Sequence, residues 1–107
     1  MRMRILFDQG TPAPLRKALS GHDVATAYEM GWSQLTNGNL LREAEASFDA
    51  FITTDQSLQH QQNLSGRSLA ILTLWTTSWP KLQRHPPEVV NAIEKVNAGD
   101  FVELNFS

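Results

Sequence analysis

The 107 residues predict an α/β domain with a mainly parallel, five-stranded sheet. Two observations carry that prediction. First, Ile5-Leu6-Phe7, Ala50-Phe51-Ile52-Thr53 and the stretch from Leu69 to Leu74 are continuous apolar runs rather than alternating ones. That is the pattern of strands buried on both faces of a parallel sheet. Second, segments with apolar residues at helical spacing separate these runs. The length suits one domain with a single core.

Strand one covers Arg4 to Phe7 and runs straight into Asp8. The carboxylate marks the strand's end, because an unpaired buried acid is very costly. Thr11 reads as the N-cap of a helix that begins at Pro12, where a missing N–H costs nothing. Leu15, Ala18 and Leu19 form its apolar face, and Gly21 is the stop signal. His22 to Ala27 reads as a short second strand, which completes a right-handed β-α-β unit. Tyr28 to Thr36 is a loop leaving the carboxyl end of that strand. Asn37 reads as the N-cap of the next helix, with Leu40, Leu41 and Ala44 on the buried side.

Strand three, Ala50 to Thr53, repeats the first design, with Asp55 just beyond it. A glutamine-rich polar segment continues through Asn63, and Gly66 turns the chain into strand four, Leu69 to Leu74. Ser78 reads as an N-cap with Pro80 in the first turn. Pro86-Pro87 then interrupts that helix. A further helix from Pro87 to Val96 places Val89, Val90, Ile93 and Val96 on one face. Phe101 to Phe106 alternates as an edge strand should.

Composition narrows the function. The net charge is −2 and the pI near 5.8, so the chain lacks the basic footprint of a tight, nonspecific nucleic-acid binder, though a transient nucleic-acid substrate stays open. The absence of cysteine excludes disulfides, thiolate zinc sites and cysteine nucleophiles, and points to a reducing cytoplasm. The opening residues are too few for a signal peptide, and no apolar stretch reaches the roughly 20 residues of a membrane span. Glycine-rich phosphate loops and a serine elbow are both missing.

The informative constellation is the pair Asp8 and Asp55. If their strands are parallel neighbours, both acids stand on one rim, at the carboxyl ends where open α/β sheets bind ligands. A magnesium site commonly uses one or two carboxylates and leaves other positions to water and phosphate. Each acid also has a plain structural role open to it. Asp8 can satisfy the Gly10-Thr11 turn, and Asp55 can cap the segment after it. Glu43 and Glu45 do not share a helix face and read as solvated charges. His22, His60 and His85 lack metal-site spacing and read as surface residues. Of Trp32, Trp75 and Trp79, Trp75 is expected in the core and Trp79 against a helix. Trp32, in a rim loop, is kept as a substrate contact, together with Thr54, Gln62 and Arg67.

Ile5-Leu6-Phe7-Asp8-Gln9, Gly21-His22-Asp23-Val24 and Ile52-Thr53-Thr54-Asp55, in this order and spacing, resemble the short PIN-like proteins of the bacterial DUF5615 type. Gln61-Gln62-Asn63-Leu64 and Thr77-Ser78-Trp79-Pro80 strengthen the resemblance, which spans almost the whole chain. It implies a three-layer α/β/α PIN-like fold and a toxin-type ribonuclease dependent on Mg²⁺ or Mn²⁺. It also implies a small DNA-binding, antitoxin-like partner. Asp8 and Asp55 correspond to the family's acids after strands one and three. The third acid position falls on Asn37, which offers a neutral oxygen and no charge. The alternative is a catalytically degenerate PIN-like binding module that acts through a protein partner. A homodimer is a further expectation, because the edge strand at the C-terminus is ready to pair. A receiver-like signalling domain also places acids after strands one and three. It fits poorly, since Gln9 stands where a second acid is expected and no lysine follows the last strand.

Overall fold

Five strands lie side by side in the order β2-β1-β3-β4-β5, in a computed structural model that describes residues 2–58 and 67–105. They are β1 (Arg4–Phe7), β2 (Asp23–Thr26), β3 (Ala50–Thr53), β4 (Ala70–Thr73) and β5 (Phe101–Glu103). Every neighbouring pair is parallel. The predicted class is therefore present, with the sheet wholly rather than mainly parallel.

The side-chain period of two divides each apolar run between two cores. On one face, Ile5, Phe7, Ile52 and Leu72 pack with Leu15, Leu19, Leu82, Val89 and Ile93. On the other, Leu6, Phe51 and Ile71 pack with Leu40, Leu41, Ala44 and Phe48. Helical segments thus cover both faces, which makes three layers. Ile5, Leu6 and Phe7 have no exposed surface. Each such fully buried side chain contributes roughly 1.5–3 kcal/mol of transfer free energy. No helix of the described residues is long and apolar enough to cross a membrane.

Among the described residues the covering helices are a 3-10 helix at Ala13–Leu19, then α1 (Asn37–Ser47), α2 (Trp79–Leu82) and α3 (Pro86–Lys95). The first differs from the expected α-helix. Pro12 and Pro14 remove two N–H donors from its opening, and Leu15 N–H bonds back three residues to Pro12 O at 3.1 Å. Pro12 holds the N-cap position, so Thr11 is not the cap. Gly21 keeps a negative φ and is no left-handed stop; the turn is closed through Ser20 in the right-handed region. In α1 the cap is Thr36, extended at φ −67° and ψ 162°, whose hydroxyl accepts Asn39 N–H; Asn37 is the first helical residue. Pro86 opens α3 after the predicted break at the proline pair. Strand β5 is shorter than expected, ending at Glu103, and Phe106 lies outside the described residues.

His22 corrects a second expectation. It is 7% exposed, not on the surface, and its Nδ1 accepts Met3 N–H at 3.0 Å. Entry into the edge strand β2 leaves the Met3 amide without a ladder partner, and the imidazole supplies one. Its Nε2 lies 3.8 Å from Glu94 Oε2 on α3. His85 is half-buried, edge-on to Trp75, and His60 lies outside the described residues.

Candidate functional site

The strand order reverses direction between β1 and β3. The chain leaving β1 packs Leu15 and Leu19 on one face, whereas the chain leaving β3 packs Leu58 on the other. The two connections part and leave a crevice at the carboxyl ends, the usual ligand position in an open doubly wound sheet. Asp8 and Asp55 flank it.

Register brings a polar row to this rim. Phe7 pairs with Ile52, and Asp8 N–H continues the ladder to Ile52 O at 3.1 Å, so Asp8 stands beside Thr53. Thr53 in turn pairs with Thr73 of β4. By alternation, these three side chains follow Leu6, Phe51 and Ile71 onto the α1 face.

Asp8 is held by three donors. Its Oδ1 accepts Thr11 N–H at 3.0 Å and lies 2.7 Å from the Thr11 hydroxyl, while Oδ2 accepts the Thr53 hydroxyl in a short bond. The Thr11 hydroxyl is also 2.9 Å from Ile52 O, and its single proton serves one acceptor at a time. Thr53, only 1% exposed, also accepts Asp55 N–H at 3.0 Å. One buried hydroxyl therefore ties the Asp8 side chain to the Asp55 backbone. Neither Thr11 nor Thr53 was a candidate from sequence. The available signal was the Thr-x-Asp spacing, in which a threonine hydroxyl accepts the N–H two residues on.

Asp55 turns its Oδ1 to the Ser57 N–H at 3.0 Å and the Ser57 hydroxyl at 2.7 Å. Its Oδ2 accepts the Asn37 amide Nδ2 at 3.1 Å. The Ser57 hydroxyl, then the Ser57 N–H and the Asn37 amide, hold its carboxyl below the ordinary aspartate value, against a desolvation that pushes the other way. The sequence-derived constellation of Asp8, Asp55 and Asn37 is thus brought together at one rim, but Asn37 presents a donor to Asp55. A carboxylate accepts only, so the amide nitrogen must face it.

The structural roles weighed for the two acids are present as well: Asp8 closes the Thr11 turn and Asp55 caps Ser57. The remaining donor atom of note is Thr73 Oγ1, which is buried and has no hydrogen-bond partner among the described residues. An orphaned hydroxyl of this kind, next to Thr53 in register, fits an oxygen-liganded group such as a hydrated divalent cation. The described residues contain no cluster of three or more acidic, histidine or cysteine side chains that could hold a metal. Two carboxylates completed by water remain a normal donor set for magnesium.

The substrate candidates divide. Thr54 stays at the rim, where its hydroxyl lies 2.6 Å from the position a Cβ on Gly10 would take; only glycine permits this approach. Trp32 is half-buried, its ring edge-on to Phe48 at the far end of α1 and packed against the helix-side core. Arg67 precedes β4, so it lies at the amino end of the sheet, opposite the two acids, and is 3.7 Å from Glu45. The reason is topological. In an all-parallel sheet, residues that lead into a strand and residues that leave one emerge at opposite ends. Gln62 lies outside the described residues. Trp75 and Trp79 are both half-buried and pack against the other core, so Trp75 lies at that core's edge rather than within it.

Comparison with protein-family models, with curated proteins and with solved structures finds no match.

Proposed function

We propose that the carboxyl rim holds one Mg²⁺ or Mn²⁺ ion through Asp8 and Asp55 and that the chain is a PIN-like, toxin-type ribonuclease hydrolysing RNA phosphodiesters. The observation that carries this is that Asp8 and Asp55 follow the neighbouring parallel strands β1 and β3 at the strand-order reversal and are linked through the Thr53 hydroxyl, beside a buried hydroxyl with no partner among the described residues. When bound, the cation supplies positive charge that polarises a phosphoryl oxygen and makes water a better nucleophile. The chain's own part is positional. Thr11 and Thr53 fix the rotamer of Asp8, and Ser57 and Asn37 keep Asp55 ionised, ready to accept a hard cation.

A second reading, a degenerate binding module that acts through a protein partner, is favoured by Asn37. Where a third charge is expected, an amide donates to Asp55 instead. A ribonuclease assay with and without Mn²⁺, on wild type beside Asp8→Asn, decides between them. Metal-dependent cleavage lost in the variant supports the nuclease. No cleavage by either protein, with weak metal binding, supports the module. Both readings include a small antitoxin-like partner or a second copy of the chain, with β5 as an edge strand able to pair. Co-purification and sedimentation test that part.

A further inference from the structure

Beside Asp8, on the β2 side of the rim, lies a cleft of about 520 Å³. Asp8, Gln9, Thr26 and Thr77 contribute polar groups to it, Pro12 and Ala13 contribute apolar surface, and Tyr28 stands at its margin. Tyr28 is 79% exposed and is the one large hydrophobic side chain left exposed among the described residues. Its position is set by the turn after β2. Gly31 N–H bonds to Tyr28 O at 3.0 Å, and Glu29 caps Thr26 N–H at 2.9 Å while pairing with Arg16.

We propose that Tyr28 is the stacking platform for a nucleobase of single-stranded RNA whose neighbouring phosphate lies at Asp8, an inference that rests on the nuclease or RNA-binding use of this rim. The cleft lining contains Asp8 and no lysine or arginine, so the neighbouring phosphate is held through the cation bound at Asp8 rather than by the lining itself. It offers instead an exposed aromatic face for stacking, with the Thr77 hydroxyl for a base edge; the Gln9 amide already donates to Ser33 O and the Thr26 hydroxyl already accepts Glu29 N–H. Tyr28 thereby takes the role expected of Trp32, whose ring is committed to the core.

The test uses a labelled single-stranded oligoribonucleotide and fluorescence anisotropy, with Ca²⁺ in place of Mn²⁺ so that a cation is present at Asp8 while cleavage does not consume the probe. Tyr28→Ala removes a solvent-exposed ring and leaves the fold intact, which circular dichroism checks. Stacking of one base predicts that it weakens binding roughly five- to hundred-fold. Tyr28→Phe and Tyr28→Trp, which keep a ring, bind within about two-fold of wild type on the same grounds. An abasic probe binds wild type and Tyr28→Ala equally. The inference is overturned if wild type and Tyr28→Ala bind the base-bearing probe alike, or if wild type binds no better than the abasic control. Failure of the two proposals is separable. Tyr28-dependent binding without Mn²⁺-dependent cleavage removes the hydrolase and keeps the platform. Cleavage whose KM is indifferent to Tyr28→Ala removes the platform and keeps the hydrolase.

Discussion

Substituting Asn37→Asp replaces a donor with a carboxylate 3.1 Å from Asp55 Oδ2. The metal-free protein then loses stability in two ways. A hydrogen bond to a charged group, worth about 1.5–3 kcal/mol, is lost. Repulsion at that separation adds about 1 kcal/mol with the dielectric of water and about 5 at an effective dielectric near 20. Asp55 is only half-buried, so the lower part of that range applies. A negative residue in the first turn of α1 returns roughly 0.3–1 kcal/mol through the helix dipole. Protonating one acid offers an escape that limits the loss: holding a carboxyl with a pKa about three units below pH 7 neutral costs about 4 kcal/mol. The expected net loss is about 2–4 kcal/mol, a fall in Tm of roughly 10–20 °C for a domain of this size.

A bound divalent ion reverses the sign. A +2 charge about 4 Å from the new carboxylate gains about 8 kcal/mol at the same effective dielectric, before desolvation and repulsion are subtracted. Calorimetric Mn²⁺ titration therefore shows at least about ten-fold tighter binding, on the scale of about 1.4 kcal/mol per factor of ten. Thermal melts recover with added Mn²⁺, and Asn37→Asp/Asp8→Asn loses the gain. If Asn37→Asp melts with wild type in EDTA and binds Mn²⁺ no better, Asn37 neither supports Asp55 nor marks a third ligand position, and the metal proposal loses its electrostatic basis.

Thr53→Val and Thr73→Val should move stability in opposite directions. The first leaves Asp8 Oδ2 and Asp55 N–H short of a partner and costs about 2 kcal/mol, whereas the second removes an orphaned hydroxyl and gains about 1 kcal/mol in EDTA while weakening Mn²⁺ binding; urea melts read both. For Asp55, the folded carboxyl lies below its ordinary value, so its contribution is present above the unfolded pKa of about 4 and is lost as pH falls through the folded one. Acid titration of stability should therefore be flatter in Asp55→Asn, though not flat, because Asp23 and Glu29 are also depressed, chiefly by hydrogen bonds from Arg2 and Arg16. His22→Leu strands the buried Met3 N–H and should cost about 1–3 kcal/mol, while an exposed histidine would cost almost nothing; equal melting temperatures would refute the buried role.

By itself the sequence determined the layer order of this protein. Apolar runs such as Ile5-Leu6-Phe7 and Ala50-Phe51-Ile52 can satisfy a period of two only when both faces are covered, and that requirement is local enough to read from the residue string. The placing of Asp8 and Asp55 at strand ends was legible for the same reason. Which residues those acids use was not. The Thr53 hydroxyl meets Asp8 only because β1 and β3 pair in a given register, and register is a property of two strands at once. Asn37 and Thr36 are both good caps; Thr36 takes the cap, and the Asn37 amide meets Asp55, eighteen positions along the chain, a partner its neighbours do not reveal. His22 looks exposed until the edge of β2 leaves the Met3 amide needing an acceptor. Trp32 and Arg67 left the rim because a side chain's address depends on packing and on strand direction, and neither is written in its neighbours. Tertiary structure decided these points because hydrogen bonds and burial are settled between segments distant in sequence.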